Sequence, residues 1–239
     1  MRTLIAMTTP YTDHPATAQL GRLRLMQLIS PALPIGAFTY SQGLEWAVEA
    51  GWVRDNATLA DWLEGLMDDG LAQLELPILK RLYLACEKEA FDAVENWGRQ
   101  LYASRETREL RAEERNRARA LLTLLADLDI HQAAAWREHL MQCQAAPFAL
   151  AAVHWKIGIE DCLLGYAWGW MENQVAAAIK LVPLGQTDGQ RVQLKLAERL
   201  PATVERAMKI EDEDMGAGAP AQAIASACHE TQYTRLFRS

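Results

Sequence analysis

The segment TLADWLEGLMDDGLAQLELPILKRLYL, residues 58–84, has the clearest helical periodicity in the chain. Its apolar residues recur every three or four positions, and its acidic residues fall on the other side of the helix. The apolar stripe consists of Leu59, Trp62, Leu63, Leu66, Met67, Leu71 and Leu74. This pattern predicts an amphipathic helix on a core, with Thr58 and Asp61 forming a capping box. Pro77 predicts either a kink or a break into two helices.

Helical spacing continues on both sides of this segment, whereas the period-two alternation of a half-buried strand is missing. The sequence therefore predicts an all-α fold, a single large domain of about ten helices over residues 19–209. Further helices are predicted at 20–29, after Gly36, and at 91–102, 104–128, 131–142, 147–157, 159–182 and 187–208.

Both ends of the chain differ in composition from this domain. Residues 1–18 contain Pro10 and Pro15 without a sustained period, which predicts a flexible N-terminal arm. Residues 210–224 combine an acidic run with Gly, Ala and Pro and are interpreted as a flexible linker. Residues 225–239 follow as a short C-terminal tail.

Composition and charge exclude several classes of protein. The net charge of -7 argues against nucleic-acid binding, which normally requires a basic face. The four cysteines form no CxxC pair, so we expect a reducing compartment and a cytoplasmic protein without disulfides. The N-terminus lacks the apolar core of a secretory signal. The most apolar stretch, residues 162–182, is interrupted by three adjacent polar residues and predicts a buried helix, not a membrane span.

The chain carries none of the common catalytic or phosphate-binding motifs. GxxxxGK[ST], GxGxxG after a strand and HExxH are all absent from the sequence. The five histidines include no pair three or four residues apart, the spacing that brings two imidazoles to one metal ion from one helix. Paired ExxH motifs for a di-metal bundle are also missing. The sequence therefore predicts no catalytic residues, no cofactor and no metal site within the chain.

Charged residues in apolar or crowded surroundings leave alternatives open. The run of arginines and glutamates at 105–119 is interpreted either as a solvated helix with pairs such as Arg105–Glu109 and Glu113–Arg117, or as a docking surface. Lys180 interrupts an apolar segment and either extends its charge to the surface or pairs with a carboxylate. Glu45 lies in the apolar context GLEWAV, and its negative charge likewise either extends to the surface or pairs with a cation.

A different pattern in the apolar segment 162–182 concerns helix packing. Gly165 and Gly169 lie four residues apart among large side chains. One face of this helix is therefore bare backbone, which lets another helix approach closely. Core packing is the favoured explanation.

Four segments together resemble the family of the urease accessory protein UreF. They are LRLMQLISPALPIGAFTYSQGLEWAVEAGWV at 23–53, SRETRELRAEERNRARALL at 104–122, AIKLVPLGQTDGQR at 178–191 and HETQYTRLFRS at 229–239. The first and last segments are the more specific, because a proline-flanked loop before SQGLEWA seldom occurs together with a terminal RLF. The resemblance spans nearly the whole of the expected domain.

The resemblance implies an all-helical, non-catalytic homodimer that acts through protein partners. The expected partners are UreD bound to the urease apoprotein, and the nickel-carrying GTPase UreG, with GTP hydrolysis coupled to nickel insertion. Phe38 and Arg235 match family positions tied to partner recruitment. Glu45 and Lys180 match polar positions tied to the UreG-facing side.

The composition of the tail adds candidates for partner binding. Tyr233, Leu236 and Phe237 lie beside Arg235 and suit anchoring in the groove of a partner. We therefore expect the tail to be disordered in the free protein and to fold against UreD. The competing interpretation is that the tail packs on its own helical domain.

Overall fold

A computed structural model of the chain describes residues 15–216 and 218–239. Residues 1–14 of the predicted flexible arm lie outside the described part, and its last four residues, 15–18, belong instead to the first helix. Across the described residues, the chain forms α-helices and short helical turns and contains no β-strand. The predicted all-α class is therefore confirmed. The thirteen α-helical segments exceed the roughly ten expected, partly because two of them contain only four and five residues.

The helices of the first half are α1 (Pro15–Leu28), α2 (Leu44–Glu49), α3 (Asn56–Leu66), α4 (Leu76–Glu87), α5 (Phe91–Ala103) and α6 (Arg108–Asp127). Those of the second half are α7 (His131–Ala135), α8 (Arg137–Leu140), α9 (Ala145–His154), α10 (Ile159–Leu181), α11 (Gln186–Ala197), α12 (Leu200–Lys209) and α13 (Pro220–His229). A π-helical segment, Met67–Glu75, joins α3 directly to α4. Short 3₁₀ turns occur at Ala37–Thr39 and Asp212–Asp214.

The N-cap of α3 lies three residues before the predicted cap, Thr58. Asp55 is the N-cap, and its carboxylate accepts a hydrogen bond from the Thr58 backbone N–H at 2.9 Å. The Thr58 hydroxyl accepts in turn from the Asp55 N–H at 3.1 Å. The capping box predicted for Thr58 and Asp61 is therefore wrong, because Thr58 is its third helical residue and not its cap.

Pro77 does not interrupt the helical path from α3 to α4, and it lies at the start of α4 and not in its interior. It falls in the first turn of α4, directly after the π-helical segment. Proline has no N–H, so the carbonyl of Gln73, four residues earlier, loses its usual helical donor. The Gly216 N–H approaches this carbonyl at 3.4 Å. The π-helical segment before Pro77 and the contact with Gly216 together explain how the continuous helix from α3 to α4 accommodates the proline.

The centre of the core is formed by α4 and α10. Helix α4 packs against α5, α9, α10 and α12, and α10 packs against α1, α2, α11 and α12. Leu76, Ile78, Leu79 and Leu82 of α4 are completely buried. Each fully buried leucine or isoleucine contributes about 1.5 to 3 kcal/mol of hydrophobic free energy.

The bare face of α10 receives α1, as the glycine spacing predicted. A Cβ atom on Gly165 would lie 2.5 Å from Leu25 Cδ1, and one on Gly169 would lie 3.7 Å from Ile29 Cβ. The two helices therefore approach closely because no side chain separates them at these positions. This contact fixes α1 and the loop that follows it over the middle of α10.

The end of the chain departs from the expected flexible linker and tail. Helix α13 begins at Pro220, inside the predicted linker, and packs against α2. Within the acidic run, Asp212 accepts a 2.6 Å hydrogen bond from the buried Arg81 side chain. Phe237 is only 6% exposed and packs in the core. The tail is therefore attached to the helical domain, whereas we expected it to be free. The sequence did not show this attachment, because the residues that bind the tail lie far from it in the chain.

The contact between α2 and α13 depends on a glycine. Gly43 precedes α2 with a φ of +87°, and a Cβ there would lie 2.8 Å from the Ser226 backbone nitrogen. Gly51 has a similar φ of +74°, but a Cβ there would have nothing within 4 Å. Both glycines therefore have a left-handed backbone that would strain any other residue. Only Gly43 also lacks space for a side chain.

We expect Gly51→Ala to lower the free energy of unfolding by about 1 to 2 kcal/mol, the cost of a left-handed alanine. Gly43→Ala should cost about 1 to 3 kcal/mol more, because its methyl group also meets the backbone of α13. Urea denaturation followed by circular dichroism measures both values. Equal losses in the two variants would contradict the close approach.

Candidate functional site

The loop before α2 turns two polar side chains in different directions. Gln42 and Gly43 have consecutive positive φ angles of 55° and 87°, a conformation that is uncommon for a residue with a side chain. Gln42 is buried beneath α10, whereas Glu45, in the first turn of α2, lies next to the C-terminal tail. The sharp turn thus separates an inner site from an outer one.

Gln42 uses both ends of its amide in the inner site. Its nitrogen donates to Glu113 at 2.9 Å. Its oxygen accepts from the Trp170 indole N–H at 3.0 Å and from the Gln174 amide at 3.3 Å. These bonds join the loop, α6 and α10. They satisfy polar groups that would otherwise be costly to bury.

The inner site continues into a group of buried charges that we call the central ion-pair network. Its members are Glu75, Arg105, Glu113, Glu114 and Arg117, and each is less than 9% exposed. Arg105 binds Glu114 at 2.6 Å and Glu75 at 2.9 Å. Although burial disfavours its charge, the two carboxylates raise the pKa of Arg105 well above its usual value. Arg105 therefore remains a cation in the protein interior.

The second part of the network is the pair Glu113–Arg117, at 2.8 Å. Burial raises the pKa of Glu113, and Arg117 only partly opposes this shift. A carboxyl group whose pKa is raised on folding stabilises the fold most when it is protonated. That contribution is present below the pKa of the unfolded chain and is lost as pH rises through the folded-state pKa.

These contacts replace both interpretations of the charged run at 105–119. Arg105, Glu113, Glu114 and Arg117 lie in the interior, so this part of the run is neither a solvated face nor a docking surface. The predicted pair Glu113–Arg117 is present. The predicted bonding of Arg105 with Glu109 is wrong, because Arg105 binds Glu75 and Glu114 instead. Arg105 lies before the start of α6, so the four-residue spacing of a continuous helix does not apply to it.

A cavity of about 110 Å³ adjoins the central ion-pair network. Residues of the loop after α1, including Ile29 and Phe38, line one side, and Arg105 and Arg117 line the other. The Nε atom of Arg117 has no hydrogen-bond partner among the described residues. The space is large enough for about three water molecules, given the volume that each occupies in the liquid.

A second group of charges, which we call the tail-binding cluster, lies between α2, α6 and α13. It consists of Glu45, Glu109, His229 and Arg235. His229 is completely buried, with Nδ1 2.6 Å from Glu109 and Nε2 3.1 Å from Glu45. Arg235 donates to the other Glu109 oxygen at 2.7 Å. Two carboxylates therefore hold both the end of α13 and the segment after it.

Backbone bonds attach the rest of the tail. Glu45 accepts from the N–H groups of Leu236 at 2.6 Å and Phe237 at 2.9 Å. Arg238 donates its N–H to the Thr39 carbonyl at 2.8 Å. The Ser41 N–H donates to the Ser239 carbonyl oxygen at 2.7 Å. The tail lies along the loop before α2 and fixes that loop from the outside.

An exposed surface surrounds the attached tail. Phe38 is 60% exposed, Leu236 is 65% exposed, and Tyr233 is fully exposed. The Lys180 ammonium lies 6.0 Å from the centre of the Phe38 ring and 5.7 Å from that of Phe237. Both distances suit cation–π attraction. We call Phe38, Lys180, Tyr233, Arg235 and Leu236 the exposed tail surface.

The structure brings most of the predicted partner-binding residues together, but in different environments. Lys180 is exposed, in agreement with the interpretation that its charge extends to the surface. Glu45 is buried and binds the tail and His229. Phe237 points inward, whereas Tyr233 and Leu236 point outward. The tail therefore has one face for its own domain and one that is open.

Sequence reasoning missed Gln42, Glu109 and His229 as parts of these sites. His229 opens the quoted tail segment, but a single histidine has no periodic or paired signal that shows its surroundings. Its two partners lie 184 and 120 residues earlier in the chain. No local signal marked these three positions, because each of their bonds joins residues far apart in the chain.

Other candidate chemistry was also located. Cys86, Cys143 and Cys162 are free and buried, and burial raises the pKa of the Cys86 thiol to about 12. Across residues 15–216 and 218–239, no group of three or more His, Cys, Asp or Glu side chains is arranged to hold a metal ion. A search of the same residues finds no helix with the length and apolar character needed to cross a membrane.

The fold and the two sites define an all-α protein in which buried ion pairs position a terminal segment beside an exposed surface. Residues 53–197 match the family model of UreF. The chain is 50% identical over 222 residues to the urease accessory protein UreF of Pseudomonas putida strain W619, covering 93% of this chain and 99% of that protein. It is 50% identical over 220 residues to the protein of the same name from Alkalilimnicola ehrlichii, covering 92% and 96%. The protein of the same name from Chromohalobacter salexigens is 47% identical over 233 residues, covering 97% and 99%. The chain belongs to the UreF family of urease accessory proteins.

The central ion-pair network generates a stability prediction. We expect Arg105→Met to lower the free energy of unfolding by about 3 to 5 kcal/mol near neutral pH, because two buried carboxylates lose their shared cation. The loss should shrink as pH falls, since protonation removes the unpaired charges. Thermal and urea denaturation at several pH values measure this dependence.

The matched control is Arg191→Met, which removes an exposed pair with Asp188. Its stability should stay close to that of the parent protein at every pH. A similar small change in Arg105→Met would show that the buried network does not stabilise the fold.

Proposed function

We propose that this protein is a non-catalytic adaptor in urease maturation. It binds UreD on the urease apoprotein, recruits the GTPase UreG and couples GTP hydrolysis to nickel insertion. It works as a homodimer in the cytoplasm. The observation that carries this proposal is the exposed tail surface, which gathers partner-binding candidates from three separate segments of a UreF-family chain.

The chemistry of the exposed tail surface suits protein recognition. It presents Phe38, Tyr233 and Arg235 in one region with a lysine and a leucine, and aromatic residues and arginine are enriched at interface centres. The surrounding fold supplies rigidity, because Glu45 and Glu109 fix the backbone and the arginine of the tail. A surface ordered before binding loses less conformational entropy when a partner docks.

The tail divides this role between its two faces. Tyr233 and Leu236 are available to UreD, whereas Phe237 fills the domain's own core. The earlier alternatives, a tail that docks on a partner and a tail that packs on its own domain, are therefore compatible. We assign partner binding to the outward face and attachment to the inward one.

Lys180 is assigned to the UreG-facing side of the same surface. Its ammonium is exposed, and its contacts with Phe38 and Phe237 contribute only about 0.5 to 1 kcal/mol at such a site. A role in stability alone is thus too small to give a large phenotype. Coupling to UreG requires that the surface bind one nucleotide state of the GTPase more tightly than the other.

We expect the double variant Tyr233→Ala with Leu236→Ala to weaken capture of UreD by at least about tenfold without lowering the melting temperature. Phe237→Ala should lower the melting temperature, because it removes a buried ring. Pull-down with UreD and thermal denaturation of the same preparations separate the two effects. Undiminished capture by the double variant would refute the assignment of the outward face.

We expect Lys180→Ala to reduce urease activation in cells carrying the complete urease gene cluster, with little change in melting temperature. Lys180→Arg should retain activation, because it keeps the charge near both rings. Lys88→Ala, at an exposed lysine after α4, is the control for loss of a surface charge. Normal activation by Lys180→Ala would remove Lys180 from the proposed surface.

A further inference from the structure

His229 makes a contact that depends on its protonation state. Both of its ring nitrogens face carboxylate oxygens, with Glu109 at 2.6 Å and Glu45 at 3.1 Å, and the ring is completely buried. A neutral imidazole has one N–H donor and one lone pair. Only the imidazolium form can donate to both carboxylates at once.

The same two carboxylates attach the segment that follows. Glu45 receives the N–H groups of Leu236 and Phe237, and Glu109 receives the Arg235 guanidinium. No other described contact of Glu45 with a side chain supplies positive charge, because His229 forms its only ion pair among the described residues. The proton on His229 therefore affects the groups that hold the tail.

We propose that His229 is a proton-dependent switch that sets how firmly residues 230–239 attach to the helical domain. When the ring is charged, it joins Glu45 and Glu109 into one compact acceptor for the tail. When it loses its proton, one nitrogen lone pair faces a carboxylate in a buried site. The carboxylates then repel the ring, and the tail attachment weakens.

Other charged groups, both acidic and cationic, lie around His229. Arg235, from the tail, stabilises the carboxylate of Glu109. On α6, the Glu109 N–H also donates to Glu230 at 3.2 Å. Glu49 of α2 accepts from Gln232 at 2.7 Å. Acidic groups thus outnumber cations around the ring.

The sign of the pH dependence follows from the charge that attachment requires. The attached state favours the protonated ring, so attachment is strongest at pH values where the ring is charged in both states. It weakens as pH rises and the ring loses its proton. This inference concerns contacts within the chain and does not rest on the proposed function.

The test is hydrogen–deuterium exchange of the full-length protein, measured by mass spectrometry on C-terminal peptides covering residues 230–239. Exchange at each pH is divided by that of a synthetic peptide of the same sequence, which removes the intrinsic effect of pH on amide exchange. We expect protection to fall by at least about tenfold between about pH 6 and about pH 8. Circular dichroism confirms that the helical domain stays folded over this range.

Two variants separate the switch from other pH effects. Glu109→Gln can donate its amide N–H to the lone pair of a neutral His229 while its oxygen still accepts from Arg235, so protection should no longer fall with pH. Arg235→Gln removes the neighbouring ion pair and leaves the ring and both carboxylates in place. It should lower protection overall but retain the pH dependence.

The outcomes decide the proposal. A fall in the parent protein and in Arg235→Gln, with a flat profile in Glu109→Gln, supports it. A flat profile in the parent protein overturns it, as does an equal fall in Glu109→Gln, because the dependence would then arise elsewhere. If Glu109→Gln does not fold, the parent protein and Arg235→Gln still decide, since a flat profile in either one overturns the proposal.

Discussion

The burial of charge on α6 is the constraint on which the remaining structure depends. Arg105, just before α6, and Glu113, Glu114 and Arg117 within it lie in the interior, where an unpaired ion is very costly. Each therefore needs partners at fixed positions. Glu75 from the π-helical segment and Gln42 from the loop before α2 provide them. These requirements place α6 against elements that are distant in the chain, in a way that apolar packing alone would not specify.

The same constraint links the interior to the surface. Glu113 binds Gln42 and Arg117 on one side, and one of its oxygens accepts from the Ser239 hydroxyl at 3.1 Å on the other. One helical turn earlier, Glu109 binds His229 and Arg235. Helix α6 therefore carries Glu113, Glu114 and Arg117 of the central ion-pair network. Its first turn carries Glu109 of the tail-binding cluster. Glu113 therefore contacts both the loop at Gln42 and the end of the tail.

The arrangement also explains how the exposed tail surface is held in place. The exposed tail surface consists of side chains whose backbones are fixed by buried carboxylates. The tail contributes both the inward anchor, Phe237, and the outward residues Tyr233 and Leu236. A partner that binds the outward residues meets a surface already in place. A surface fixed before binding suits the adaptor role that we propose.

The sequence by itself determined the elements of this protein. The stripe at 58–84 required an amphipathic helix, and the glycines at 165 and 169 required a close helix neighbour. These inferences succeed because each depends on residues close together in the chain. Local spacing could not show whether the charged run at 105–119 faces water, nor that Thr58 follows its cap.

Only the tertiary structure decided which charges meet. Arg105 pairs with Glu75 and Glu114 and not with Glu109, and His229 contacts two carboxylates more than a hundred residues away in the chain. It also decided that the tail lies on the helical domain, since its acceptors are Glu45, Thr39 and Glu109. A charge pairs with whatever the packing of the apolar core brings within about 4 Å, and that proximity is a property of the fold and not of sequence spacing.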